Sequence, residues 1–386
     1  MSETPFNIAI PDEKLALLHR KLELTTLPDE LKDSGWEYGV PLTAVRRLVE
    51  RWKDGFDWRK QEAQINSELP QFTRDIQIDG HGSLNIHYVH KKSAVASAIP
   101  LLFVHGWPGS FLEARKLAPP IDNGGPSILQ RSIWSHLVFP ATDFLKDPVP
   151  KGLIWITLGY DQYVTQGGDL GFPITCRIAK LYGGKHVKVW HTNMPIGAPP
   201  ETGTAPALTA KEEERLAKNA AFFKHGTGYL RQQMTQPQTL GYSLADSPAG
   251  LLAWIYEKMV NWSDDYPWSD DEVLTWFSIY WFSRAGPTAS LRVYFEGENR
   301  NFEAIFAVSH PTPTIPLGIS RFVNDTMGFP KSWTRVIGNV VFDREHESGG
   351  HFAAYERPQD IADDLRKMFA KDGPVYGAVP GKSGYA

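Results

Sequence analysis

The chain has 386 residues, 42% of them hydrophobic and 22% charged, a composition that excludes extended disorder and leaves room for a large buried core. A formal charge of -4 and an isoelectric point near 6.3 give no basic footprint, and the Lys91-Lys92 pair is too short to make one, which excludes nucleic acid as an expected partner. The one cysteine, Cys176, has no partner for an internal disulfide, as befits a reducing compartment.

Taken from the N-terminus, MSETPFNIAIPDEKLALL has no basic segment followed by an apolar one, and the longest apolar run, AIPLLFV at 98–104, is too short to span a bilayer. A cytoplasmic location without a transmembrane anchor is the expectation. Helical spacing runs through 12–24 on Leu15, Leu18 and Leu22, and through 41–53 on Val45, Leu48, Val49 and Trp52. RDIQIDGHGSLNIHYVH alternates apolar and polar residues around DGHG and predicts a hairpin. IPLLFVHGWPGS is a continuous apolar run ending in glycine and proline, the pattern of a buried parallel strand that opens into a functional loop.

The interval 118–150 offers only HLVFP as a strand and no amphipathic helix of useful length. DQYVTQGGDLGFPITCRIAKLYG then predicts strand, tight turn and helix, and KHVKVWHTNMP the next strand. After a Pro/Gly/Thr linker at 195–208 comes a helical block reaching about residue 295. Its helix starts are legible: a capping box at Thr209 and Glu212, a Ser247-Pro248 cap, and a second box at Ser269 and Glu272. Strands return at IPLGISRF and NVVF, then the loop ESGGHF, then a terminal helix from Pro358. An α/β core with a mostly parallel sheet, interrupted by a helical insertion, accommodates this order.

The chemistry is carried by three loops. GGDLG, 167–171, fits the G-x-D-x-G form of a nucleophile elbow with Asp169 in place of serine, a sharp turn that lifts the side chain out at a strand's C-terminal end. HGWPGS, 105–110, follows an earlier strand, so the backbone amides of Trp107 and Leu170 are candidates for an oxyanion hole. HESGGHF brings His351 just before the last helix, where a base is expected, and Asp325 lies upstream to orient it. Asp343 and Glu345 are acidic neighbours that only geometry can separate from Asp325, and His346 lacks the glycine setting of His351. Trp107, Trp254, Trp276 and Trp281 are candidate walls of an apolar pocket, although aromatic stripes in helices are usually core. Cys176 is expected to be buried and inert.

With these motifs in view, the chain resembles the epoxide hydrolases of the α/β-hydrolase superfamily, in the microsomal-type branch with an N-terminal meander that occurs in fungi. The resemblance rests on FNIAIPDEKLALLHRKLELTTLP, HGWPGS, QGGDLG, GTGYLRQQMTQPQTLGYSLADSPAGLLAWIYEK and GGHFAAYERP, and covers nearly the whole chain. It implies an α/β-hydrolase fold with a meander at 1–72, core at 73–194, helical cap at 195–300 and core again at 301–386. It also implies Asp169 as nucleophile, Asp325 as orienting acid, His351 as base, and Tyr229 and Tyr294 as the cap phenols that hold the epoxide oxygen. Trp107 and Trp254 are expected to contact substrate. No metal or cofactor is implied, and a homodimer is an open expectation.

A carboxylate nucleophile makes chemical sense here. Attack on a strained three-membered ether leaves an ester, which water can hydrolyse, whereas serine would leave an inert ether. Two readings compete with epoxide hydrolysis: haloalkane dehalogenation, which uses the same ester but needs halide-binding donors, and a non-catalytic binding protein. The second is motivated by one departure from the family: between HGWPGS and the nucleophile, where a PGYG turn and a helix are expected, the chain reads HLVFPATDFLKDPVPKGLIWITLGYDQYV.

Overall fold

The computed structural model describes residues 3–78, 82–122, 128–132, 159–200, 206–298 and 312–385. Strand β1 (Thr4–Phe6) pairs antiparallel with β2 (Gln71–Ile78), which pairs with β3 (Gly82–Val89) from Gln71 opposite Val89 to Ile78 opposite Gly82. The hairpin expected around DGHG is therefore present, its tip lying outside the described residues. Between β1 and β2 run α1 (Asp12–Glu23), α2 (Leu42–Asp54) and α3 (Trp58–Glu68). The last was missed in the sequence, since its apolar spacing is sparse. Its start is fixed by Asp57, whose side chain accepts from the Lys60 amide.

The core sheet is parallel throughout its described length, in the order β5-β4-β6-β7-β8-β9. Its strands are β4 (Ile99–Val104), β5 (Ile128–Ser132), β6 (Tyr163–Gly167), β7 (Val187–Thr192), β8 (Pro316–Phe322) and β9 (Asn339–His346). Every residue of β4 and of β6 is buried, the signature of strands covered on both faces. One apolar layer joins Leu102, Tyr163, Trp190 and Leu317 to α5 (Gly171–Tyr182) through Phe172 and Ile178. The opposite layer joins Leu101, Phe103 and Val189 to α4 (Glu113–Asp122) and to the terminal helix α12 (Pro358–Phe369). The chain leaves β4 in one direction to β5 and in the other to β6. The loops after β4 and β6 thus emerge side by side at a topological switch point, with Val104 paired to Gly167.

The reading of 118–150 needs correction. A helix already begins at Glu113 and runs to Asp122, and Ile128–Ser132 is a strand paired with β4. The helix was obscured by Pro119-Pro120 near its end, and the strand by its polar Gln130 and Arg131. HLVFP, and most of the interval where the expected turn and helix depart from the family pattern, lie outside the described residues.

The helical insertion carries α6 (Ala210–Ala221), α7 (Gly228–Thr235), α8 (Pro237–Asp246), α9 (Pro248–Asn261), α10 (Asp270–Trp281) and α11 (Val293–Glu298). Both capping boxes and the Ser247 cap form as the sequence expects. The N-terminal helices grip this layer: Trp52 meets Phe277 edge-on at 4.6 Å, Arg51 forks onto Asp271 at 2.9 and 3.0 Å, and Lys21 reaches Asp246. Among the described residues no helix is long and apolar enough to cross a membrane.

Glu272 ties this layer to the core. Besides capping α10 it accepts from Lys116 of α4 at 2.7 Å, from Tyr266 at 2.9 Å and from Tyr355 at 3.1 Å. Burial alone would raise its carboxyl, but the Lys116 ammonium and the donors outweigh that and bring it down to about 2. A carboxyl lowered on folding adds stability that is complete above its ordinary value of 4.5 and is lost as pH falls toward 2. Glu272→Gln is therefore expected to cost about 1.5–3 kcal/mol near neutrality, the weight of a charged hydrogen bond. Urea titrations should show the gap from wild type closing steadily below pH 4.5.

Candidate active site

The GGDLG turn places Asp169 just after β6, at φ 50°, a left-handed backbone that aspartate tolerates better than most side chains. Two glycines make the turn sterically possible. A Cβ on Gly171 would fall on the Val104 carbonyl of the neighbouring strand, and a Cβ on Gly106 would fall on the Asp169 carboxylate itself. The loops after β4 and β6 can touch only because neither position carries a side chain.

That contact is a hydrogen bond. The Trp107 amide donates to Asp169 Oδ1 at 2.8 Å, and Leu170 follows directly at the start of α5. The loop is held in this orientation by α10, where Trp276 and Tyr280 are one helical turn apart on a shared face. Trp276 Nε1 donates to the Pro108 carbonyl at 2.8 Å and the Tyr280 hydroxyl to the Gly109 carbonyl at 2.6 Å. Trp276 is thus a buried brace and Trp281 stacks on Phe277, so neither fills the role of a pocket wall considered for them.

His351 Nε2 stands 3.5 Å from Asp169 Oδ2, and its Nδ1 shares a 2.9 Å hydrogen bond with Asp325 Oδ1. Of the three acids considered, Asp325 is the one placed at hydrogen-bond distance from His351. Asp343 pairs with Arg321 at 2.7 Å and Glu345 with Lys211 at 2.7 Å. His346 is buried 2.6 Å from Asp364, a structural pair as its setting indicated. Burial pushes the His351 imidazole down, but the charges and hydrogen bonds of Asp325 and Asp169 dominate and raise it to about 10.

Over Asp169 sits an aromatic box. The Trp107 ring stacks on Tyr229 of α7 at 5.1 Å and meets Tyr294 of α11 edge-on at 5.9 Å. The two phenols are 6.0 Å apart, ring centre to ring centre, and share a hydrogen bond. Burial holds both phenols far above their ordinary value, so each keeps its proton as a donor.

Trp254 is half-buried one layer away, donating to Gln233 at 3.1 Å, with Lys258 over its ring and over that of Tyr229. The structure thus brings Trp107 but not Trp254 against the triad. The residue missed was Trp262, whose ring lies 5.0 Å from His351, 5.2 Å from Tyr229 and 6.3 Å from Trp107, and whose carbonyl accepts from the His351 amide at 2.8 Å. It lies one residue past the end of α9, where helical spacing carries no signal. Cys176 has its thiol raised to about 11 by burial and takes no part. Among the described residues no group of three or more His, Cys, Asp or Glu is arranged to hold a metal ion.

With this geometry in hand, comparison with known proteins is informative. A family model, Epoxide hydrolase N terminus, matches residues 3–114. A candidate epoxide hydrolase of Stigmatella aurantiaca is 36% identical, with 95% of this chain and 84% of its own covered. Epoxide hydrolase 1 of Sus scrofa is 29% identical over 94% of this chain and 88% of its own. The solved structure of Aspergillus niger epoxide hydrolase superposes with a TM-score of 0.81 at 31% identity, covering 95% of each chain.

If the two carboxylates hold the imidazolium, then neutralising one should release the proton more easily. An NMR titration of His351 is expected to give a midpoint near 10 in the wild type. In Asp169→Asn the midpoint should move down by about one unit or more, the ordinary scale for losing one adjacent opposite charge.

Proposed function

The chain belongs to the epoxide hydrolases of the α/β-hydrolase superfamily, in their microsomal-type branch, and hydrolyses an epoxide to a vicinal diol; on that premise we propose that it does so through a covalent ester on Asp169. The observation that supports this most directly is the single carboxylate shared between the Trp107 amide and His351, beneath two buried phenols.

In the first step Asp169 Oδ2 attacks an epoxide carbon and the C–O bond of the ring breaks. The developing alkoxide accepts hydrogen bonds from Tyr229 and Tyr294, donors whose burial keeps them protonated and makes each contact strong. A proton from this donor pair completes the first hydroxyl, and the phenol is reprotonated at the expense of the His351 imidazolium, which is left neutral. The product is an ester on Asp169, which no longer carries a charge. One of the two charges that held the His351 proton has then gone, so the imidazole gives that proton up more readily and is available in its neutral form when a base is needed.

Water then attacks the carbonyl carbon of the ester and gives its proton to His351 Nε2. Asp325 holds Nδ1–H and so fixes the ring. The oxyanion forms on Oδ1, against the Trp107 amide, with the Leu170 amide as the second proposed donor. Collapse breaks the acyl C–O bond, the leaving oxygen takes the proton from His351, the diol departs, and the water's second proton passes from the regenerated Asp169 carboxyl to His351, which restores the resting pair. Trp107 walls the pocket, and Trp262 replaces Trp254 as its aromatic partner. These rings fit an aryl or alkyl epoxide better than a small polar one. The phenol pair is an oxyanion site and argues against halide as leaving group. The assembled triad argues against a non-catalytic binding role.

Single-turnover mass spectrometry with styrene oxide tests this reading. His351→Gln is expected to accumulate an adduct of substrate mass on Asp169 while wild type releases diol. Tyr229→Phe and Tyr294→Phe should each slow adduct formation by about 100–1000-fold, the usual range for removing one oxyanion donor. Diol formation by folded His351→Gln at the wild-type rate with no adduct would remove the covalent pathway.

A further inference from the structure

Glu113 is a buried titratable group that the steps above leave unused. It is the first residue of α4, eight positions after His105, and its carboxyl turns back beneath the oxyanion loop. It stands 4.0 Å from His105 Nδ1 and accepts from the Ser110 backbone amide. A Cβ on Gly109 would collide with Glu113 Oε1, so a glycine at that place in HGWPGS is what admits the carboxyl to the interior. There it lines a small cavity of about 20 Å³ together with Asp169, His351, Gly168 and Asn193. That volume accommodates one water molecule, which needs only about 10–15 Å³ of this kind of space.

We propose that Glu113 is a positioning residue for the second half-reaction, holding the hydrolytic water in this cavity between His351 Nε2 and the carbonyl carbon of the Asp169 ester. The inference rests on the covalent ester of the preceding section. A water in line for attack gives one proton to His351 and must be oriented through its remaining hydrogen and lone pair. A neutral carboxyl suits that task, because its carbonyl oxygen accepts and its hydroxyl donates. Burial raises Glu113 to about 8 in the free site, and it is burial, not the Asp169 and His351 charges that ester formation removes, that keeps its carboxyl neutral during ester loss. The proton that Glu113 holds is not consumed: the water's oxygen enters Asp169, one of its hydrogens passes to His351 and on to the leaving oxygen, the other passes from the Asp169 carboxyl to His351, and Glu113 ends as it began.

The other titratable groups facing this interior are His105, Asp169, Tyr280, His351 and Glu356. None of them is altered by the variants that isolate Glu113. Glu113→Leu keeps the bulk and removes the hydrogen bonds, while Glu113→Gln keeps a neutral acceptor and donor. Rapid-quench mass spectrometry with styrene oxide reads ester formation and ester loss separately. In Glu113→Leu, ester formation is expected to stay within about threefold of wild type while ester loss slows by about tenfold or more, the weight of one lost hydrogen bond. Glu113→Gln should restore most of the rate of ester loss. The pH profile gives a second handle that does not require the leucine variant to fold. Ester loss in wild type should decline on the alkaline side as Glu113 ionises, and in Glu113→Gln it should not. Wild-type ester loss in a folded Glu113→Leu, equal slowing of both steps in both variants, or identical alkaline limbs in wild type and Glu113→Gln would each overturn the proposal. Absence of any ester in His351→Gln would instead overturn the covalent reading, a distinct result.

Discussion

The contact on which the site depends is the one between a carboxylate and a backbone amide across two adjacent strands. Asp169 Oδ1 accepts from the Trp107 amide because β4 and β6 are neighbours in register at the point where the sheet changes direction. The approach is so close that Gly106 and Gly171 cannot carry a Cβ. A buried anion is costly unless it is paired and hydrogen-bonded. Asp169 is only partly exposed, and here the amide serves one oxygen and the His351 imidazole the other. The left-handed backbone at Asp169 costs about 1–3 kcal/mol where such conformations are strained, and the surrounding packing over-determines it.

Everything above the carboxylate concerns where donors point. The cap helices do not merely cover the pocket. Through Trp276 and Tyr280, α10 takes up the Pro108 and Gly109 carbonyls, which leaves the loop's amide turned to Asp169. Through Tyr229 and Tyr294 the cap supplies phenols, and the low polarity around them keeps the protons on. Trp262 joins the two halves: its carbonyl anchors the His351 amide and its ring faces Tyr229. The N-terminal helices press this layer down through Trp52 on Phe277 and the ion pairs to α10, so the geometry of the phenols is set partly by residues far from the chemistry.

Charge flow through the site has an internal logic. In the proposed mechanism His351 starts protonated between two carboxylates, and ester formation on Asp169 would erase one of those charges. The imidazole would thereby be freed to act as base as the neutral ester comes into being. Under the proposal Glu113 belongs to the same arrangement: burial favours its neutral form, and it lines the same small cavity as Asp169 and His351.

The sequence by itself determined the chain order of the chemistry. Strand ends, glycine turns and capping boxes are local signals, each set by neighbours within a few residues, so Asp169, the HGWPGS loop, His351 and the starts of α6, α9 and α10 were legible. Helix α3, with few apolar positions to repeat, and α4, interrupted by a proline pair, were not. Choices between distant candidates fell to the tertiary structure alone. Asp325, Asp343 and Glu345 are equivalent as acids near a histidine, and only the positions of Arg321 and Lys211 disqualify two of them. The same holds for Trp262 over Trp254 and for the burial of Glu113, because an aromatic wall and a protonated carboxylic acid are made by what packs around a side chain from elsewhere in the chain, which no local pattern encodes.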